Sequence, residues 1–266
     1  MFHVVRDYYR GRRLSAVWYI HRNCNYNCPY CGIHNNKFVP YIMNERWIEA
    51  WNKISPDVID ITGGEPFMQP DFVNLVDNLP GKIGVTTNLT YPPDFPENVH
   101  WVTCSLHPSQ RTFDFNTFIK RVTAVRDMGI DTTVNFVAYP QQMELIPNYK
   151  ALFEGLRVKF HVDPYRCDGF YYDKNQKEFL KQYVKEDRSH YLSEDERYDV
   201  DCSAGINHLV VMDDGGAYKC LIDYFEGRAP FGNILEDFEM LKEPCRCSDY
   251  YRCIGCNYDK VVVKRV

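Results

Sequence analysis

Apolar residues follow two alternating patterns along the chain. Short apolar runs rich in β-branched residues alternate with longer stretches in which apolar side chains recur every three or four positions. The first pattern is typical of buried strands and the second of amphipathic helices. Six strands are predicted, at 16–21, 58–61, 83–87, 99–106, 132–138 and 158–162.

Helices are predicted between most of these strands. Asn44 is expected to cap the first helix, whose apolar face includes Trp47 and Trp51. The prolines between 92 and 96 disfavour a helix between the third and fourth strands. The remaining helices are predicted from about residue 71, over 115–125 and over 145–156.

This alternation predicts an α/β fold with parallel strands. Short links between successive strands and helices favour right-handed crossovers, and hence a partial (β/α)6 TIM-like barrel. A small C-terminal cysteine-rich β-hairpin/helix domain follows, with an Asp-Gly turn at 214–215. The predicted boundaries are 1–165 for the barrel, 166–201 for a partly helical connector and 202–266 for the small domain. Barrels of this kind carry their chemistry at the C-terminal ends of the strands.

Composition narrows the functional classes. The chain has 266 residues, of which 45% are hydrophobic and 25% charged, with a formal net charge of -5. These values are ordinary for a globular protein and argue against nucleic acid as a partner. No apolar run reaches the roughly 18 residues of a membrane span, and residues 1–13 are polar and basic without a signal-peptide core. A cytoplasmic protein without a membrane partner is therefore expected.

Eleven cysteines in such a chain favour metal ligands over disulfides. Cys24, Cys28 and Cys31 lie within eight residues, with spacings of three and two, on the loop after the first predicted strand. Three thiolates are one fewer than an iron–sulfur cluster usually has, which leaves one iron open to another ligand. The alternative is part of a zinc site with His34 as a fourth ligand.

The cysteine loop resembles that of the radical SAM superfamily. The likeness rests on Cys-x3-Cys-x2-Cys with an aromatic residue, Tyr30, before the last cysteine. It implies that Cys24, Cys28 and Cys31 hold a [4Fe–4S] cluster whose open iron binds the amino and carboxylate groups of S-adenosylmethionine (SAM). It also implies that Tyr30 lies against the adenine.

A second motif supports the same likeness. Gly63-Gly64-Glu65-Pro66 follows the second strand and resembles the family's Gly-Gly-Glu-Pro motif, which receives the methionyl ammonium. Glycine lets a backbone approach a ligand, and a carboxylate complements an ammonium. By the same likeness, polar strand-end residues are candidates for the methionine carboxylate and the ribose hydroxyls: Asn88, Ser105 and Asn135. His107 is a candidate catalytic residue, and a hydrogen-bonded structural histidine is an equal interpretation.

The C-terminal cysteines resemble those of the SPASM or twitch extensions of this superfamily. Cys202-x12-Gly215-x4-Cys220 matches the opening of the extension, whereas the later spacings are altered and no cysteine follows Cys256. The likeness implies one auxiliary [4Fe–4S] cluster, held by Cys202, Cys220, Cys253 and Cys256. The role of Cys245 and Cys247 is left open: they are substitute ligands, part of an incomplete second site, or free thiols. A zinc ribbon is the alternative for the same cysteines.

The resemblance implies reductive cleavage of SAM to a 5′-deoxyadenosyl radical that abstracts a substrate hydrogen. A fully ligated auxiliary cluster suits electron transfer, so we expect an oxidoreductase that dehydrogenates a small hydroxylated molecule such as a sugar or an aminocyclitol. The reductant is expected to be a flavodoxin or ferredoxin.

Two alternatives to this dehydrogenase remain at this stage. A peptide-modifying maturase is one, and it includes an epimerase in which Cys167 is the catalytic hydrogen donor. Cys104 is expected to be buried, because it alternates with Ser105 along its strand. A non-enzymatic iron–sulfur or zinc scaffold is the third possibility.

Overall fold

The structure is a computed structural model that describes residues 13–33, 38–110, 112–165, 170–184, 200–247 and 263–265. Its centre is a run of six neighbouring strands, each parallel to the next. They are β1 (Ser15–Tyr19), β2 (Val58–Thr62), β3 (Lys82–Thr87), β4 (Val99–Leu106), β5 (Asp131–Ala138) and β6 (Lys159–Pro164). The predicted parallel α/β core is confirmed. β6 is the last strand of the sheet, so the barrel is open.

Four helices connect these strands. They are α1 (Asn44–Ile54), α2 (Phe72–Asp77), α3 (Phe115–Asp127) and α4 (Ile146–Gly155), and the segment 88–98 contains no helix, as its prolines predicted. Trp18 of β1 packs against Trp47 and Trp51 of α1, with ring centroids 4.8 and 5.5 Å apart. All three indoles are completely buried. The predicted apolar face of the first helix therefore packs on the first strand.

The predicted capping role of Asn44 is wrong. Asn44 is the first residue of α1, after Met43 in an extended conformation, and its side chain makes no cap hydrogen bond. Instead, the Asn44 amide donates to the Pro70 carbonyl at 2.8 Å and its oxygen accepts from Gln69 Nε2 at 2.8 Å. The side chain ties the start of α1 to the loop after β2, a contact between distant segments that periodicity does not reveal.

The two faces of β4 and β5 differ in character. Val102, Cys104 and Leu106 are buried in the hydrophobic core, whereas Trp101, Thr103 and Ser105 between them are partly exposed. The predicted burial of Cys104 is confirmed. β5 alternates in the same way, with Asn135 on the partly exposed face. Polar side chains thus line the interior face of the open barrel.

The C-terminal hairpin extends the main sheet. β8 (His208–Val211) and β9 (Gly216–Tyr218) are antiparallel across the predicted Asp-Gly turn, and β10 (Gly232–Asn233) pairs with β9. β8 also pairs in parallel with β1, and His208 Nδ1 lies 2.9 Å from Ser15 Oγ. The resulting nine-stranded sheet crosses the predicted boundary at residue 202. The hairpin is a continuation of the barrel sheet rather than a separate layer.

A second, three-stranded sheet lies in the C-terminal part. Its central strand β7 (Val200–Cys202) pairs antiparallel with both β11 (Cys245–Cys247) and β12 (Val263–Arg265). Two short helices complete the described elements, α5 (Lys174–Leu180) in the predicted connector and α6 (Leu221–Phe225) after the hairpin. None of the helices in the described ranges combines the length and the apolar character that crossing a bilayer requires.

Candidate active site

The three N-terminal cysteines share one cavity at the C-terminal ends of the parallel strands. Cys24, Cys28 and Cys31 lie on the loop after β1, and all three line a cavity of about 210 Å³. The Cys31 amide donates to the Cys28 carbonyl at 3.1 Å, and the Tyr26 amide donates to Cys24 Sγ at 3.4 Å. The cavity lies where this class of fold carries its chemistry.

Burial changes the acidity of two of these thiols. It raises the pKa of Cys24 to about 11 and that of Cys28 to about 12. Metals bind the thiolate form, so loading of this site would release protons. Across the described ranges, no three or more His, Cys, Asp or Glu side chains are grouped as ligands of a single metal ion. A donor set of three cysteines nevertheless fits an iron–sulfur cluster chemically.

Gly63 and Gly64 lie against the backbone that leads into the cysteine loop. A Cβ atom on Gly63 would lie 2.4 Å from the His21 carbonyl oxygen, and one on Gly64 would lie 1.8 Å from the Asn23 carbonyl oxygen. The Gly64 amide donates to the His21 carbonyl at 2.7 Å. Both glycines also line the cavity. The sequence predicted that both glycines contact a ligand. The structure adds that they let the loop after β2 pack closely against the backbone that leads into the cysteine loop.

Glu65 lies behind the cavity wall. Its side chain is completely buried, and its carboxylate accepts hydrogen bonds from Thr87 Oγ1 and the Asn88 amide, both at 2.7 Å. A third, longer bond comes from the Phe67 amide at 3.3 Å. Burial raises the pKa of Glu65 to about 7. Pro66 is also buried and begins a 3₁₀ turn, Pro66–Met68. Neither residue lines the cavity, so their predicted contact with an ammonium stays a prediction.

Tyr30 and His107 form an aromatic wall of the cavity. Tyr30 Oη lies 3.0 Å from His107 Nδ1, and the rings of Tyr26 and Tyr139 pack against the pair with centroid distances of 5.9 and 5.4 Å. Burial lowers the pKa of His107 to about 4 and raises that of Tyr30 to about 12. Both groups are therefore neutral at neutral pH. The predicted stacking of Tyr30 on adenine stays a prediction.

The polar strand-end residues converge as the sequence predicted. Asn88, Ser105 and Asn135 all line the cavity, and Asn88 Nδ2 donates to Asn25 Oδ1 of the cysteine loop at 2.9 Å. The sequence placed Asp163 at the end of the sixth strand, and the structure adds that its Oδ2 accepts from Asn135 Nδ2 at 2.8 Å. Alternation along β6 turns Asp163 toward the polar face of the barrel.

The structure describes some of the C-terminal cysteines. Cys202 lies on β7, Cys220 immediately precedes α6, and Cys245 lies opposite Cys202 in the register of β11 and β7. Cys245 Sγ donates to the Cys202 carbonyl at 3.6 Å. A side-chain hydrogen bond with Cys202, aided by the Lys219 ammonium, lowers the pKa of Cys245 to about 7. The predicted residues outside the described ranges are Cys167, Cys253, Cys256 and the alternative ligand His34.

Two curated relatives share sequence with this chain. It is 25% identical over 156 residues to a probable GTP 3′,8-cyclase of Thermoplasma volcanium, which covers 50% of this chain and 48% of that protein. It is 30% identical over 77 residues to the GTP 3′,8-cyclase of Haemophilus ducreyi, covering 24% of this chain and 23% of that protein. The chain thus matches less than half the length of either relative. No protein-family model matches it.

Solved structures share its fold. SuiB of Streptococcus suis bound to S-adenosylmethionine superposes with a TM-score of 0.63 at 17% identity, covering 85% of this chain and 64% of that chain. SuiB bound to its precursor peptide SuiA gives 0.62 at 16% identity, with 87% and 65% covered. At these identities the likeness concerns the fold. The cysteine loop and the Gly-Gly-Glu-Pro segment resemble those of the radical SAM superfamily, and the fold that the chain shares with a SAM-bound protein is consistent with that resemblance.

Proposed function

We propose that this chain is a radical SAM enzyme whose cavity binds a [4Fe–4S] cluster and SAM side by side. Cys24, Cys28 and Cys31 would hold the cluster. One observation carries the proposal: the three thiols, the glycine pair and the polar strand-end side chains all line the same cavity. When bound and reduced, the cluster supplies the electron that cleaves SAM to methionine and a 5′-deoxyadenosyl radical.

The chain's own residues position these groups. Gly63 and Gly64 let the backbone of the second strand's loop reach the cysteine loop, and the Asn88 side chain ties that loop to β3. Glu65 fixes Thr87 and the Asn88 backbone from behind the wall. The neutral pair Tyr30–His107 closes one side with apolar ring surface, which limits the access of water to a reactive radical.

The substrate that we propose is a small hydroxylated molecule that undergoes dehydrogenation. Support comes from further hydroxyl groups along the cavity, those of Thr62 and Thr86, which suit hydrogen bonding to hydroxyls better than binding an apolar ligand. Loss of two electrons also needs an acceptor for the second electron. Cys202, Cys220, Cys253 and Cys256 are the ligands proposed for an auxiliary cluster in that role.

Reductive cleavage of SAM tests the first proposal. Protein reconstituted anaerobically with iron and sulfide, and reduced with dithionite, is expected to form 5′-deoxyadenosine. Cys28→Ala should abolish this product and lower the iron content, whereas Cys104→Ala, which alters a buried thiol outside the cavity, should keep both. Wild-type protein that binds iron and SAM but forms no 5′-deoxyadenosine would contradict the proposal.

Substrate class and auxiliary cluster need a separate experiment. Cys253→Ala should lose iron relative to wild type and still form 5′-deoxyadenosine, while product formation from an aminocyclitol falls. The names of the curated relatives make GTP a second substrate probe. Stimulation of 5′-deoxyadenosine formation by a short peptide, and not by polyols, would favour the peptide-modifying alternative. Normal turnover by Cys253→Ala would exclude the electron-acceptor role.

A further inference from the structure

The Asn88 side chain has a fixed orientation in the wall of the cavity. Asn88 directly follows β3 and is 6% exposed. Its amide oxygen accepts hydrogen bonds from the Thr90 backbone amide at 2.9 Å and from Thr90 Oγ1 at 2.7 Å. A backbone amide can only donate, so the Asn88 atom that faces it must be the oxygen. The amide nitrogen therefore points to the other side, where the cysteine loop lies.

The amide nitrogen of Asn88 has two acceptors on the cysteine loop. It donates to Asn25 Oδ1 at 2.9 Å and lies 4.0 Å from Cys24 Sγ, a long contact of the kind a weak, neutral thiol acceptor makes. Asn25 Nδ2 in turn donates to Thr90 Oγ1 at 2.7 Å. The side chains of Asn25, Asn88 and Thr90 thus form a closed ring of hydrogen bonds. Because the Thr90 backbone sets the direction at one point, it sets the direction of the whole ring.

This ring uses both ends of the Asn88 amide. The oxygen has two donors and the nitrogen has two acceptors, which is the full capacity of an amide group. The resemblance suggested SAM as the partner of Asn88, whereas the hydrogen bonds direct its nitrogen to the first cysteine of the loop. Cys24 Sγ also accepts from the Tyr26 backbone amide at 3.4 Å. The Cys24 sulfur is therefore approached by N–H donors from its own loop and from the end of β3.

We propose that Asn88 is a positioning residue that directs an N–H donor at the Cys24 sulfur and thereby eases one-electron reduction of the cluster bound there. This rests on the proposed function, because Cys24 must hold a cluster. Metal binding converts the thiol to a thiolate, and a charged acceptor makes the hydrogen bond shorter and stronger. Reduction adds negative charge to the cluster and its sulfurs, which the donor stabilises, so Asn88 raises the reduction potential.

A redox titration of the cluster-loaded protein without SAM, followed by electron paramagnetic resonance, tests the proposal. The signal of this site is the one that Cys28→Ala lacks. Asn88→Leu removes the donor without adding charge. It should lower the equilibrium constant for reduction by about tenfold, which is about 59 mV for a one-electron couple. Asn52→Leu is the matched control, because the exposed Asn52 amide also donates to two acceptors and lies on α1. It should titrate as wild type does.

A second pair of variants acts from outside the cavity lining. Thr90→Val removes the hydroxyl that joins Asn25 to Asn88, whereas Thr90→Ser keeps it. Thr90→Val should lower the equilibrium constant for reduction by about threefold, a smaller effect because the Thr90 backbone still holds the Asn88 oxygen. Thr90→Ser should titrate as wild type does. This pair decides the matter if Asn88→Leu fails to fold or to bind iron.

The outcomes separate this role from direct contact with SAM and from the proposed function. The inference is overturned if Asn88→Leu is reduced as readily as Asn52→Leu, or, in its place, if Thr90→Val is reduced as readily as Thr90→Ser. Equilibrium dialysis that shows weaker SAM binding by Asn88→Leu, with an unchanged potential, would assign Asn88 to SAM instead. Wild-type protein whose iron content and paramagnetic signal do not depend on Cys28 would overturn the proposed function, and this inference with it.

Discussion

Gly64 shows how a single residue controls the site. Its missing side chain lets the loop after β2 lie on the backbone of residues 22 and 23, directly before the first cysteine. The neighbouring atoms are backbone atoms, which cannot move aside as the end of a flexible side chain can. The glycine therefore supports the cysteine loop whether or not a ligand is bound.

Replacing Gly64 by alanine is expected to displace the cysteine loop. A Cβ atom 1.8 Å from a backbone oxygen should destabilise the protein by about 3 kcal/mol and lower the iron bound per chain. Gly155→Ala is the control, because a Cβ atom there meets nothing within 4 Å at the end of α4 and should be neutral or stabilise by up to about 1 kcal/mol. Thermal melting and iron analysis measure both effects, and equal behaviour of the two variants would refute the explanation.

Glu65 makes the stability of the protein depend on pH. Its pKa is raised from 4.5 to about 7, so between these values the native state holds a proton that the unfolded state has released. The contribution of Glu65 to the free energy of unfolding is therefore largest below pH 4.5 and is lost as pH rises to about 7, by about 3 kcal/mol in total. Glu65→Gln should remove this dependence.

The difference between wild type and Glu65→Gln isolates this effect. His21 and His107, whose pKa values burial lowers to about 4, contribute with the opposite sign, because their unfolded forms bind protons first as pH falls. Urea denaturation of metal-free protein at several pH values between 5 and 8 gives the comparison, with exposed Glu49→Gln as control. Parallel curves for wild type and Glu65→Gln would show that Glu65 is not the titrating group.

At the scale of elements, an ion pair joins the segment before the cysteine loop to the C-terminal hairpin. Arg22, between β1 and the cysteine loop, donates from Nε to Asp213 Oδ2 at 2.7 Å, and Asp213 lies in the turn between β8 and β9. The carboxylate side chain is 4% exposed and the arginine side chain 30%. The hairpin that leads to Cys220 is thereby fixed to the loop that carries Cys24.

A double-mutant cycle should detect this link. Arg22→Ala leaves a buried carboxylate unpaired, whereas Asp213→Ala leaves an arginine that water can reach, so the first variant should be the less stable. The coupling energy is expected to be about 1 to 2 kcal/mol, measured by chemical denaturation. The matched control is the exposed pair of Lys53 and Asp237, whose coupling should be near zero. Additive effects of Arg22→Ala and Asp213→Ala would contradict the link.

On the scale of the whole molecule, the C-terminal hairpin completes the barrel sheet. β8 covers the edge of β1 that would otherwise present unpaired backbone groups, while β6 forms the opposite edge. Exposed sheet edges promote association with other chains. We therefore expect the barrel to need residues beyond the predicted boundary at 202 in order to fold stably without associating.

Truncation tests this dependence. A chain ending at residue 199 loses β8 and should aggregate or melt at a clearly lower temperature than the full chain. A chain ending at residue 247 keeps β7 to β11 and is the control, expected to show the same association state as the full chain. Light scattering and circular dichroism report both properties. A 1–199 fragment with the association state and melting temperature of the full chain would show that the hairpin is dispensable.

Much of the site could be predicted from the sequence because its signals are local. Spacing alone identified Cys24, Cys28 and Cys31, and strand periodicity placed Asn88, Ser105 and Asn135 at one edge of the sheet, where all six line the cavity. The auxiliary ligands stay a prediction. What local spacing did not reveal is the position of Cys245 opposite Cys202, since that pairing depends on the register of two strands far apart in sequence.

The sequence by itself determined the order of strands and helices and the loop that carries the chemistry, because periodicity and cysteine spacing act over a few residues. Only the tertiary structure decided that β8 pairs with β1, that Glu65 turns into the wall, and that the Asn135 amide donates to Asp163. Each of these contacts joins segments separated by more than twenty residues. Their formation depends on how the whole sheet packs, which no local pattern encodes.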